Sequence, residues 1–153
     1  MLQRLELKIP PLLLVLLFAG MMWLAAPLGA LPLPLSLRQG LAGLLLVSGA
    51  TLCVLGVLHF RRARTSVNPL DPGQATTLVS EGVYRLSRNP MYLGFAFSLL
   101  AWGLLLGSAA ALLLALLFVP CIQRLQILPE ERVMAQRFNG AYLAYKRRVR
   151  RWL

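Results

Sequence analysis

Apolar residues in this sequence come in long blocks separated by short polar segments, and the blocks predict membrane-spanning helices. The blocks occupy residues 11–31, 41–60, 91–107 and 108–128. Because a helix rises 1.5 Å per residue, about 20 apolar residues cross a hydrocarbon core of ~30 Å. The first block could instead be a secretory signal, since basic residues precede it and small residues end it. We predict an all-α membrane protein with four transmembrane helices, a single integral membrane domain over residues 1–153.

The polar segments predict how these helices are connected. The third and fourth blocks meet at a turn around Gly107 and Ser108, and so short a connection forces an antiparallel hairpin. The connection at 65–81 is rich in proline, glycine and threonine and predicts a loop without a helix. Residues 129–153 alternate basic side chains with apolar ones at helical spacing. This cytoplasmic tail predicts amphipathic helices, divided at Asn139-Gly140, that partly cap a site.

Composition and charge favour a membrane rather than nucleic acid as the partner. Only 14% of the 153 residues are charged and 58% are hydrophobic, whereas soluble domains carry about 25% charged residues. The net charge is +11, but 15 of the 16 basic residues flank the blocks on one side and only Arg38 lies on the other. Basic flanks stay cytoplasmic and meet anionic lipids, so we expect an integral membrane protein with both termini cytoplasmic. Cys53 and Cys121 form no metal-binding motif.

A polar segment directly before the third block carries the candidate chemistry. Pro90 suits the first turn of a helix, where free backbone N–H groups and the neighbouring Arg88 can bind an anion. Tyr92 adds a ring and a hydroxyl, and Gly94 would let a ligand approach the backbone. The helical hairpin should return the chain to this segment, so we predict that the pair at 130–131 lies close to it.

Two short motifs resemble a known family of membrane enzymes. Residues 88–94 (Arg-Asn-Pro-Met-Tyr-Leu-Gly) resemble the Arg-His-Pro-x-Tyr-x-Gly signature of the isoprenylcysteine carboxyl methyltransferase and phospholipid methyltransferase superfamily. Glu130-Glu131 matches the Glu-Glu pair of that superfamily, and 138–145 resembles its tail. The resemblance covers roughly residues 65 to 153. It implies methyl transfer from S-adenosylmethionine, with S-adenosylhomocysteine as the product. Asn89 stands where the family has histidine, and asparagine cannot titrate.

The resemblance also implies roles for particular residues. Arginines suit the carboxylate of the cofactor, glutamates its ribose diol or ammonium, and tyrosine rings its adenine or sulfonium. The implied cofactor-binding residues are Tyr84, Arg88, Asn89, Pro90, Tyr92, Leu93, Gly94, Glu130 and Glu131. Arg124 and Asn89 are the catalytic candidates, Arg124 as a cation for a carboxylate acceptor. Alternatively, Arg124 extends from a helix end to the lipid headgroups.

The acceptor and the activity itself stay open at this point. Family members methylate lipophilic acceptors from the bilayer, either carboxylates or phospholipid-like amines. Without the histidine no base is evident for an amine, which slightly favours an anionic or neutral acceptor. A catalytically silent membrane subunit or scaffold is the alternative, and Asn89 is the feature that favours it. If the cofactor binds, we expect Glu131→Ala to weaken binding more than Glu81→Ala. The sequence leaves the oligomeric state undetermined.

Overall fold

The computed structural model describes residues 6–66 and 68–153, and the regular structure within them is helical. Strand-like pairing among these residues is limited to one isolated bridge between Ala30 and Ser108. This confirms the prediction of an all-α architecture. Two 3₁₀ turns, Pro72–Gln74 and Gly82–Arg85, accompany five α-helices. The α-helices are α1 (Pro11–Ala25), α2 (Leu35–Arg62), α3 (Pro90–Leu106), α4 (Ala109–Ile122) and α5 (Leu128–Arg148).

Two helical segments of the described chain are long and apolar enough to cross a membrane. The first is α2, with 28 residues. The second is the continuous helical path Ala109–Arg148, which runs from α4 into α5. Its apolar part ends at Leu128, and Glu130 is the first charged residue after it. The helices α1 and α3 are shorter, with 15 and 17 residues. Four spans therefore stay a prediction.

The helix boundaries differ from the predicted ones where prolines lie. The fourth apolar block was predicted to end at residue 128, but the chain stays helical through Pro129 and the distortion lies in a π-helical turn, Gln123–Ile127. Pro129 has no N–H to donate to the preceding turn, and the N–H of Leu128 reaches back five residues to the carbonyl of Gln123. The predicted loop at 65–81 likewise contains the Pro72–Gln74 turn.

Close contact between α2 and α3 depends on two glycines. A Cβ on Gly94 would lie 2.6 Å from the carbonyl oxygen of Gly49 and 2.6 Å from Cys53 Sγ, and a Cβ on Gly49 would lie 2.8 Å from the carbonyl oxygen of Gly94. These separations are shorter than real Cβ contacts, so only glycine allows the two backbones to approach this closely. The contact places the start of α3 beside the end of α2.

The α3–α4 hairpin brings the chain back to the end of the bundle where α3 begins. Gly107 adopts a left-handed conformation (φ 64°), and Ser108 caps α4 by accepting a hydrogen bond from the N–H of Ala111. Against this hairpin packs α1, with the rings of Phe18 and Phe118 5.4 Å apart. The π-helical turn and α5 therefore lie at the same end of the bundle as the 82–94 segment.

The tail divides where the sequence predicted. Asn139 has φ 39° and ψ −117°, which interrupts α5. Beyond the interruption, Tyr142 and Tyr145 are buried against Val83 and Tyr84. The hydroxyl of Tyr145 donates to the carbonyl oxygen of Tyr84 at 2.7 Å. The second half of α5 thus covers the motif, as expected for a capping tail.

Candidate active site

A cavity of about 110 Å³ opens at this end of the bundle. The end of α2, the loop at 68–79, the start of α3 and both halves of α5 form its walls. Several apolar side chains from these elements line it, including Phe60, Leu78, Met91 and Met134. The predicted site residues among its lining are Tyr84, Arg88, Asn89, Pro90, Tyr92, Glu130 and Glu131. Segments more than forty positions apart therefore meet at one cavity, as we predicted from the short connection between the third and fourth apolar blocks.

Three predicted site residues lie elsewhere. Leu93 is buried among the helices, and Gly94 makes the contact between α2 and α3 rather than approaching a ligand. Arg124 lies outside the cavity, and its Nη1 is 3.6 Å from the carboxylate of Glu6. Its side chain is 43% exposed. The assignment of Arg124 as a catalytic residue does not fit this position, because its helix end directs it to the N-terminal segment.

Glu131 forms the centre of a charged network. Its Oε1 accepts from Arg88 Nη2 at 2.8 Å and from Arg151 Nε at 3.0 Å, and its Oε2 accepts from Arg151 Nη2 at 2.8 Å. Lys146 Nζ lies 3.9 Å from Oε2. Burial would raise the pKa of Glu131, but the hydrogen bonds from Arg151 and Arg88 outweigh it and hold the pKa below its ordinary value. This carboxylate stays ionised and is occupied by protein partners.

Glu130 has a different environment. The hydroxyl of Tyr92 donates a hydrogen bond to Glu130 Oε1. Burial raises the pKa of Glu130 to about 8, the Tyr92 hydrogen bond opposes this rise, and the charge of Glu131 adds to it. This carboxyl group therefore titrates near neutral pH at the wall of the cavity. The two adjacent glutamates have separate environments: Glu131 is held by two arginines, and Glu130 is paired with Tyr92 at the cavity wall.

Asn89 uses its side chain to hold the C-terminal residues. Its Nδ2 donates to the carbonyl oxygen of Arg151 at 3.0 Å. Its backbone N–H donates to Ser87 Oγ at 3.1 Å, and Ser87 Oγ donates to the same Arg151 carbonyl at 3.2 Å. The position where the family has histidine is thus occupied here by a group that anchors the backbone.

Two buried polar atoms of the cavity-lining residues have no hydrogen-bond partner in the part of the chain that the structure describes. They are the hydroxyl of Tyr84 and the Nε of Arg88. Leaving such a group unsatisfied costs ~1–3 kcal/mol, so a site of this kind favours a polar ligand. Burial raises the pKa of Tyr84 far above its ordinary value, so its hydroxyl stays a donor. Together with Glu130, these atoms offer two donors and one acidic group, which fits a ligand with both anionic and cationic parts.

Sequence reasoning missed several residues of this site. Arg151 is the most important, and Ser87, Lys146 and the loop wall at 68–79 accompany it. In the sequence Arg151 belongs to a run of basic residues, and such a run predicts contact with lipid headgroups rather than a buried ion pair. The only local signal is that the apolar Val149 and Trp152 interrupt this basic run.

Comparison with known proteins assigns this chain to a family. The model of a family described as phospholipid methyltransferase matches residues 37–141, more than half of the chain, including the motif at 88–94 and both glutamates. This chain belongs to the phospholipid methyltransferase family. The family assignment confirms the resemblance in the motif and indicates a methyltransferase-like membrane protein.

A curated relative supports a shared core without adding a function. An uncharacterised protein of Haemophilus influenzae (strain ATCC 51907 / DSM 11121 / KW20 / Rd) is 43% identical over 63 residues. These residues are 41% of this chain and the whole length of that protein. No solved structure matches this chain significantly.

Proposed function

We propose that this family member transfers a methyl group from S-adenosylmethionine to a lipophilic acceptor that reaches the cavity from the bilayer. The observation that carries the proposal is the cavity itself. It combines the Arg88 guanidinium, whose Nε has no partner among the described residues, and the titratable Glu130 carboxyl. The family motif supplies both. When bound, the cofactor supplies an electrophilic methyl group on a cationic sulfur.

The residues present fit the chemical groups of this cofactor. The unpartnered Nε–H of Arg88, together with the backbone N–H groups at the start of α3, suits a carboxylate. Glu130 suits an ammonium group or a ribose diol. The rings of Tyr84 and Tyr92 suit adenine or, through a cation–π contact, the sulfonium. The protein's contribution to methyl transfer is to hold donor and acceptor in line and to exclude water.

Both acceptor classes that the sequence left open, carboxylates and phospholipid-like amines, stay in the proposal. An amine acceptor must lose a proton, and the sequence without a motif histidine offered no base for it. Glu130, with its pKa raised to about 8 by burial, is a group at the cavity wall that can take up that proton. We therefore propose an acceptor with either a carboxylate or a phospholipid-like amine. Its apolar part would contact the side chains that Phe60, Leu78 and Met134 contribute to the wall.

We also propose the four-span topology, with both termini on the cytoplasmic side of a bacterial inner membrane. The short helices α1 and α3 pack in one bundle with α2 and α4, which supports a common orientation across the bilayer. Large apolar side chains are exposed around the bundle, as lipid contact requires. Examples are Leu12, Leu16, Leu24, Leu44, Val47 and Leu113.

A silent membrane subunit or scaffold is the second candidate function. One observation favours it: the Asn89 side chain is engaged in anchoring the C-terminal backbone and offers no titratable group to a reaction. In this case the cavity would not bind the cofactor. The two candidates therefore differ in a direct binding measurement.

The deciding experiment is a calorimetric titration of S-adenosylhomocysteine into the detergent-solubilised full chain. Wild type, Glu130→Gln and Glu81→Gln are compared, because Glu81 is an exposed glutamate outside the cavity. A charge-assisted hydrogen bond contributes ~1.5–3 kcal/mol, so Glu130→Gln should weaken binding by about tenfold or more. Glu81→Gln should bind like wild type. Absence of binding by all three proteins would favour the scaffold, and equal losses would remove Glu130 from the site.

A further inference from the structure

The residues that follow α5 run across the motif. We call residues 149–152 the C-terminal strap. Its first residue, Val149, follows α5 in an extended conformation (φ −122°, ψ 133°). The backbone N–H of Arg88 donates to the carbonyl oxygen of Arg150 at 3.0 Å, and Arg88 Nη1 donates to that of Val149 at 2.8 Å. Backbone carbonyls of the strap therefore bind Arg88 at two places, its backbone N–H and its guanidinium.

The side chains of the strap extend these contacts to two other elements. Arg151 makes a two-pronged pair with Glu131 on α5, and Trp152 Nε1 donates to Gln123 Oε1 at 3.0 Å. Glu131 also pairs with Arg88, so Arg151 and Arg88 share one carboxylate. By contrast, the Arg150 side chain is exposed and only its carbonyl takes part. Arg151 is thus the residue of the strap whose side chain binds the Glu131 carboxylate.

These contacts determine which atoms of Arg88 remain for a ligand. Nη1 is bound by carbonyl oxygens of Val149 and Lys146, and Nη2 is bound by Glu131. Nε is buried and has no partner in the described residues, on a side chain that lines the cavity. With its other nitrogens engaged, the guanidinium cannot rotate without breaking several bonds at once.

We propose that Arg151 is a positioning residue: through Glu131 it holds the Arg88 guanidinium in the orientation that binds the anionic group of the cofactor. This inference rests on the proposed function. It concerns a segment beyond residues 37–141, the part that the family model matches. It also explains the asparagine at position 89, whose amide secures the same strap from the other side.

The test compares three variants of the full chain in detergent: Arg151→Ala, Arg151→Lys and Arg150→Ala. The last is a matched control, because it removes the same charge from the same strap but no side-chain contact. Affinity for S-adenosylhomocysteine should fall by about tenfold or more in Arg151→Ala and stay within about twofold in Arg150→Ala. Arg151→Lys should recover part of the loss, since a lysine restores the charge but not the two-pronged geometry. Equal affinities for Arg151→Ala and Arg150→Ala would overturn the proposal.

A second measurement keeps this inference separate from the proposed function. Hydrogen exchange of the Arg88 backbone amide reports its bond to the Arg150 carbonyl without any ligand. It should be about tenfold faster or more in Arg151→Ala than in Arg150→Ala. If wild type binds no S-adenosylhomocysteine, the proposed function fails, and the exchange rate still decides whether Arg151 holds Arg88. Unchanged exchange in Arg151→Ala would refute that role whatever the binding result.

Discussion

Removing the Glu131 carboxylate should destabilise the protein more than removing any exposed glutamate. Glu131→Ala deletes the acceptor of Arg88 Nη2, and both side chains are almost fully buried, at 9% and 8% exposure. Arg88 would then be a buried charge without its carboxylate. Breaking a buried pair by removing one partner costs ~3–5 kcal/mol.

The other partners of Glu131 add little to this figure. The side chain of Arg151 is 29% exposed and that of Lys146 is 46% exposed. Once Glu131 is removed, solvent can hydrate both of these partly exposed cations, so neither is left as a buried unpaired charge. We therefore expect Glu131→Ala to lower the free energy of unfolding by about 3 kcal/mol. Most of this loss comes from Arg88.

The assay is denaturant-induced unfolding in mixed detergent micelles, with Glu81→Ala as the control. Because hydrogen bonds from arginines hold the pKa of Glu131 below its ordinary value, its stabilisation is present at neutral pH and is lost as pH falls through that pKa. The difference between wild type and Glu131→Ala should therefore shrink on acidification. A loss within ~1 kcal/mol of the Glu81→Ala value, as for a surface pair, would refute the reasoning.

Three further predictions test other parts of the structure. With its pKa raised to about 8, Glu130 should bind a cationic group better as it ionises. Calorimetry should therefore show that the affinity of wild type for S-adenosylhomocysteine rises from about pH 6.5 to about pH 8.5, whereas that of Glu130→Gln stays constant. Gly94→Ala should lower the free energy of unfolding by ~1–3 kcal/mol, because the added methyl group overpacks against α2. A Cβ at Gly43 would meet nothing within 4 Å, so Gly43→Ala should be neutral or stabilising. Reporter fusions should place the 61–90 segment on the cytoplasmic side; an external location would contradict the topology.

Much of the fold follows from local features of the sequence. Long apolar blocks predict helices whatever their neighbours are, because an unpaired backbone group is costly in an apolar environment. Pro90 starts α3, and Gly107 with Ser108 turns the chain into α4. The short connection between those helices is enough to predict that the two halves of the motif meet. Each of these features acts within a few residues, so the sequence alone reveals it.

Only the tertiary structure decides that Glu131 pairs with arginines while Glu130 pairs with Tyr92. Neighbouring residues on a helix point about 100° apart, so the rotation of α5 determines which of them meets Arg88. The π-helical turn at Gln123–Ile127 shifts this rotation, and Pro129 alone did not reveal where the turn would lie. The position of Arg151 depends in addition on the break at Asn139 and on the extended chain after α5. A buried ion pair between distant segments forms only when all of these bends in the chain place its two partners together. No local sequence pattern distinguishes Arg151 from the exposed Arg150 beside it.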